Sequence, residues 1–231
     1  MSELEGSAVA VAHELKTPLV LLRQLTLLLE NTNNPAEQAE LTRRLRFTSE
    51  RSLRLVDSLT KMARLEDALF ELEPVQLNGL CTALTHELSP LAEAYQQNLR
   101  TRLTRQSIVA VGNRELLNSL LSGLIDNAIQ HNPAGAAIEV TSRVRAGEAI
   151  IAVRDFGTTI DLSDFRALEA SIGKRALPIS ARPLSSGLGL LVASRLLTAM
   201  NGRLSVQRHY SGGMTFSAHL PLSRQLSFLE V

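Results

Sequence analysis

A single cysteine stands in 231 residues, so no internal disulfide can form. That usage fits a reducing compartment, and burial as a small apolar side chain is the plain role for Cys81. Lysine is scarce as well: Lys16, Lys61 and Lys174 occur alone, and arginine supplies the rest of the basic residues. With 24 basic and 23 acidic side chains the formal charge is +1. Such a balance excludes an extended nucleic-acid surface held by charge, and no nucleic-acid partner is expected. No apolar run approaches the roughly 18 residues that cross a bilayer, and no signal peptide opens the chain. Internal repeats and low-complexity tracts are also missing. The expectation is a cytoplasmic segment with no membrane contact of its own. What is abundant is apolar side chain, at 45% of residues, enough to build one large domain or two modest ones.

The first third has helical periodicity. Leu4, Val11, Leu15, Leu19, Leu22, Leu25 and Leu29 recur at steps of three and four, predicting a helix from about residue 4 to 30. Asn31-Thr32-Asn33-Asn34-Pro35 is a turn. A second stripe of Leu41, Leu45, Leu55, Leu59 and Met62 predicts a helix over about 36–67. Two long helices with a short connection read as an antiparallel hairpin over residues 1–70. A lone hairpin has too little core, so two copies are expected to pair into a four-helix bundle as a homodimer.

Inside the first helix stands His13-Glu14-Leu15-Lys16-Thr17-Pro18-Leu19. Neutral imidazole is a nucleophile near pH 7. Thr17 lies one turn beyond His13 on the same face, and Glu14 about 100° round. Pro18 cannot donate to the Glu14 carbonyl and crowds it, so the helix should loosen or bend beside the histidine.

The texture changes near residues 71–74, expected as a hinge linker. Short strand-like runs follow at 75–77, 99–104, 108–111, 137–143, 149–154, 204–207 and 215–220. They alternate with helical stretches at about 80–95, 114–132 and 187–200, which implies a sheet covered by helices over residues 75–223. Residues 161–186 are poorly patterned and read as a loop or lid. Residues 224–231 form a tail.

Four elements in this half carry chemistry. Leu124 to Pro133 lies on a helix, where the Asn127 side-chain oxygen suits Mg²⁺. Asp155-Phe156-Gly157 ends a strand; its carboxylate can accept from an adenine amine, and the glycine lets a base approach the backbone. Ser186-Gly187-Leu188-Gly189-Leu190 opens a helix and exposes amide hydrogens to phosphate. Gly212-Gly213-Met214-Thr215-Phe216 is a turn entering a strand, with Thr215 placed to reach the base.

In this order, with the histidine run upstream, the elements resemble the catalytic region of a two-component sensor histidine kinase. His13 to Leu19 is similar to the H-box of the dimerisation and histidine-phosphotransfer domain. The later elements are similar to the N, G1 and G2 boxes of the ATP-binding fold shared by gyrase, Hsp90, histidine kinases and MutL. The likeness spans about residues 1–222. It implies a dimeric helical bundle followed by a two-layer α/β sandwich that binds ATP and Mg²⁺. It implies that His13 accepts the γ-phosphoryl group through Nε2, that Glu14 orients the other ring nitrogen and acts as general base, and that Thr17 helps place a water for dephosphorylating the partner. It further implies Asn127 as the metal ligand, Gln130 and His131 beside it at the nucleotide, Asp155 and Gly157 at adenine, Gly187, Leu188 and Gly189 at the phosphates, and Thr215 near the base. The partner implied is the receiver domain of a response regulator, and the whole protein is expected in the inner membrane of a bacterium.

Departures stand beside the likeness. Gly123 replaces an asparagine common in the family, Gln130 a basic residue, Thr159 the last G1 glycine and Ser185 a G2 glycine. Leu168-Glu169-Ala170-Ser171 is the nearest thing to a phenylalanine box in the lid. Each lost charged or metal-linked contact is worth about 1.5–3 kcal/mol, which predicts weak nucleotide affinity and a lid that closes poorly without its partner domain. Lys174, Arg175 and Arg182 are candidates to neutralise phosphate. A degenerate kinase acting as phosphatase or scaffold is the alternative reading, and a non-signalling ATPase of the same superfamily a third, which the H-box opposes.

Overall fold

The computed structural model describes residues 2–64, 70–172 and 188–223. Two helices, α1 (Ser2–Asn31) and α2 (Pro35–Arg64), form the hairpin. Asn34 caps α2, its Oδ1 accepting from Ala36 N at 3.0 Å, and Pro35 occupies the first helical position, where its missing N–H costs nothing. Helix α1 runs through Pro18 as one 30-residue element.

The rest of the chain runs β1 (Glu73–Gln76), α3 (Leu77–Ala94), β2 (Asn98–Leu103), β3 (Val109–Gly112), α4 (Arg114–His131), β4 (Ala137–Arg145), β5 (Glu148–Asp155), α5 (Leu162–Ser171), α6 (Leu188–Ala199), β6 (Arg203–Arg208) and β7 (Met214–Pro221). Five strands make a mixed sheet in the order β2-β4-β5-β7-β6, parallel only between β2 and β4. A separate antiparallel ribbon joins β1 to β3. Val140, Val153, Phe216 and Ala218 line one face of the sheet, with Leu84, Leu121, Ile125 and Leu196 from α3, α4 and α6 in the same core. This is the helix-covered α/β sandwich that the alternation of patterns predicts.

Two expectations are corrected. The hinge at 71–74 is partly strand, because Glu73 and Pro74 already pair with Gly112 and Val111. The segment from 161 is not all loop: Leu162–Ser171 is helical. Leu162, Phe165 and Leu168 follow at steps of three, and Leu168 is 2% exposed, so the supposed lid remnant is the last turn of a helix anchored in the core. Residues 173–187, with Lys174, Arg175 and Arg182, lie outside the described residues.

The hairpin packs on the sandwich through α2 against α4 and α6. Phe47, 6% exposed, joins the sandwich core from α2.

Candidate functional site

Asp155 ends β5 on the helix-covered face, in register with buried Ile138, and is 1% exposed. Its Oδ1 accepts from Gly157 N and Met214 N, each at 3.2 Å, which fixes the carboxylate at the mouth between β5 and β7. Gly157 is required by a close crossing: a Cβ there would lie 2.7 Å from the His131 carbonyl oxygen at the end of α4. Gly213 is stricter still, with φ +74° and a Cβ position 2.0 Å from the Asp155 carbonyl oxygen.

Thr215 is placed differently from expectation. It pairs with Arg154, one residue before Asp155, so its side chain lies on the opposite face of the sheet. There its hydroxyl hydrogen-bonds His209 Nε2 at 2.7 Å. Burial, then the nearby Arg154 charge, pushes the His209 imidazole below its ordinary range, against a weaker pull from Asp155.

One side chain ties the two motif ends together. Asn132, 7% exposed, caps α4; its Nδ2 donates to Ala137 O at 2.9 Å and its Oδ1 accepts from Phe156 N at 3.0 Å. Gln97 reinforces it, donating to the carbonyls of Ile129 and Asn132 at 2.9 and 2.6 Å.

Asn127 lies on α4, half-buried, and its Nδ2 has no hydrogen-bond partner among the described residues. It faces a cavity of about 520 Å³ between the hairpin and the sandwich, whose walls include Thr17, Arg51, Asn127, Gln130 and Gly189. Asp155, Gly157 and Thr215 are not on that wall. A Cβ at Gly189 would meet nothing within 4 Å, so packing does not demand that glycine, and the first turn of α6 is open there. An unmatched amide N–H beside an open helix start suits the oxygens of an anion such as a polyphosphate.

His13 and Glu14 belong to the described backbone of α1, and their side chains lie outside the described residues, as does all of Gly187. Leu188 begins α6.

Sequence reasoning missed the bonds that seat the hairpin on α4. Arg54 embraces Asp126 with two bonds, Nε to Oδ2 at 3.2 Å and Nη2 to Oδ1 at 3.1 Å. Arg51 Nη2 donates to Gln130 Oε1, and Lys61 Nζ to Ser119 Oγ at 3.0 Å. Each joins residues 58 to 79 positions apart, a separation at which no local pattern carries a signal.

Comparison with known proteins matches the His Kinase A (phospho-acceptor) domain over residues 8–68 and the histidine kinase-, DNA gyrase B- and HSP90-like ATPase over 112–224. Sensor protein SphS of Synechococcus elongatus is 34% identical over 227 residues, covering 94% of this chain and 54% of the relative. Sensor protein CutS of Streptomyces coelicolor is 30% identical over 213 residues, covering 91% and 51%. The chain thus spans about half the length of these relatives. Among solved structures, the Acinetobacter baumannii histidine kinase AdeS superposes with a TM-score of 0.61 at 20% identity, covering 92% of this chain and 98% of that one. The cytoplasmic segment of histidine kinase QseC gives 0.52 at 23%, covering 75% and 95%. These two likenesses speak to the fold.

Proposed function

Because the chain belongs to the sensor histidine kinases, joining a phospho-acceptor domain to an ATPase domain of the histidine kinase type, we propose that it moves the γ-phosphoryl group of Mg-ATP to His13 and from there to an aspartate of a response-regulator receiver domain. The observation that carries this reading is the cavity that brings Thr17, one turn beyond His13 on α1, to the same walls as Asn127 and Gly189.

His13 Nε2 attacks phosphorus as the bond to the β,γ-bridging oxygen breaks, and ADP leaves with that electron pair. Glu14 holds the proton on the other ring nitrogen and so keeps Nε2 the free nucleophile. Bound Mg²⁺ would neutralise charge on the phosphates, with Asn127 as its protein ligand. Asp155, aimed by two backbone amides, accepts from the exocyclic amine of adenine. Most of the rate comes from positioning. Thr17, on the cavity wall, is placed to orient a water against the phosphorylated partner, which gives the chain a phosphatase activity as well.

Dimerisation fits the hairpin surface. Leu21, Leu28, Leu53 and Val56 are exposed, the first two seven residues apart on one side of α1 and the last two one turn apart on α2, apolar surface that a second copy would cover. The test is incubation of the chain with γ-labelled ATP and Mg²⁺. An acid-labile, base-stable label that disappears in His13→Ala is expected; no label at millimolar Mg-ATP refutes the kinase reading.

A further inference from the structure

We propose that Arg51, on the hairpin, is a nucleotide-binding residue whose guanidinium holds the terminal phosphate of ATP across the cavity from the α4 side chains. This rests on the reading of that cavity as the nucleotide site and adds to it a contact supplied by the other domain.

The charges on the wall single out this arginine. Of the six charged residues that line the cavity among the described residues, Arg54 is paired with Asp126 at 3.1 Å and Lys61 with Asp57 at 2.8 Å. Glu87 is exposed, where water and salt screen it. Arg51 is half-buried and makes no ion pair among the described residues; its partner is the neutral amide oxygen of Gln130. A guanidinium presents five donors in a planar fork, and one acceptor leaves most of them unused. Half-buried and unneutralised, that fork is suited to a phosphate.

The α4 side of the cavity repeats the message. Gln130 is three residues beyond Asn127, so both project from one side of the helix. Asn127 Nδ2 is buried there with no acceptor among the described residues. A cation without a counter-ion among the described residues therefore lines this space, and an anion would neutralise it, with the buried Asn127 amide in the wall beside it. Thr17 stands on the α1 side of that space, so the anion would lie between the acceptor helix and the metal ligand.

A consequence separates ATP from ADP. Asn127 belongs to the sandwich and Arg51 to the hairpin, so a terminal phosphate would be held by both domains at once. ADP lacks that phosphate and loses the hairpin's share of the binding.

The experiment is titration of the full chain with fluorescent ATP and ADP analogues in Mg²⁺, reading affinity and not turnover. Arg51→Ala should weaken ATP binding about tenfold or more, the order of one charge-assisted contact, and leave ADP binding nearly unchanged. Adding Gln130→Arg to Arg51→Ala should return ATP affinity, because it restores the charge from the α4 side without restoring the contact between domains. Equal ATP binding by wild type and Arg51→Ala overturns the proposal. So does an equal loss of ATP and ADP that Gln130→Arg fails to repair, which would mark Arg51 as a docking residue only. Wild-type protein that binds neither nucleotide refutes the nucleotide-site reading itself, and the proposal with it.

Discussion

Replacing Asp126 by asparagine keeps the shape of α4 and removes one charge from the contact that seats the sandwich on the hairpin. The wild-type pair is two-pronged, with bonds of 3.2 and 3.1 Å, and its side chains are 26% and 11% exposed for Arg54 and Asp126. Fully exposed pairs are worth about 0–1 kcal/mol, whereas losing one partner of a fully buried pair costs about 3–5 kcal/mol. Discounted for the water that still reaches Arg54, this pair should contribute about 1–2 kcal/mol to docking, or roughly a 5- to 30-fold change in the ratio of docked to separated domains. Dyes on cysteines introduced at Gln38 and Arg105, both exposed and on different domains, would report that ratio by single-molecule energy transfer. Asp126→Asn and Arg54→Ala should each lower it by this factor, and the double variant should fall little further. The reasoning is refuted if the two losses simply add, because a coupling below about 0.5 kcal/mol would mean that the bond holds nothing.

Gly213→Ala forces a side chain into the left-handed region at φ +74° and against the Asp155 carbonyl oxygen 2.0 Å away. A cost of at least about 2 kcal/mol is expected, lowering Tm by roughly 4–8 °C, while Gly123→Ala, with nothing within 4 Å, should be neutral or slightly stabilising; equal melting of both variants would contradict the steric account. Burial pushes the Cys81 thiol up to about 12. It stays almost wholly protonated through neutral and mildly alkaline pH, so the folded protein should react far more slowly with a disulfide reagent than a free thiol does at both pH 7 and pH 9, with fast reaction only on unfolding. Labelling of the folded protein at the rate of a free thiol would show the assignment to be wrong.

Much of the fold is legible wherever burial repeats at a short period. The hairpin follows from leucines at steps of three and four, and the turn from Asn34 and Pro35, which become the cap and first residue of α2. Strands β4, β5 and β7 follow from apolar runs between turns. Helix α5 is hidden because ten residues with three large apolar side chains give a weak pattern beside a glycine- and proline-containing stretch. Asn127, Asp155 and the glycine positions are visible as motifs, because their chemistry depends on residues close together in the chain. The orientation of Thr215 is not, since it depends on which residue of β5 lies opposite. The seating of α2 on α4 is the least legible: Arg51, Arg54 and Lys61 look like any solvated charges on a helix until the fold brings Gln130, Asp126 and Ser119 to meet them.

The clasp at Asn132 has a mechanical meaning for the cleft. Through one amide it bonds the start of β4 and the residue after Asp155, while its own carbonyl is held by Gln97. The helix carrying Asn127 and the strand carrying Asp155 therefore behave as the two arms of a caliper with a fixed jaw. A ligand reaching from Asp155 to Asn127 would meet a gauge of constant width. Control over such a ligand is left to parts outside the caliper: what closes over it, and whether the α2 cation is brought to its far end.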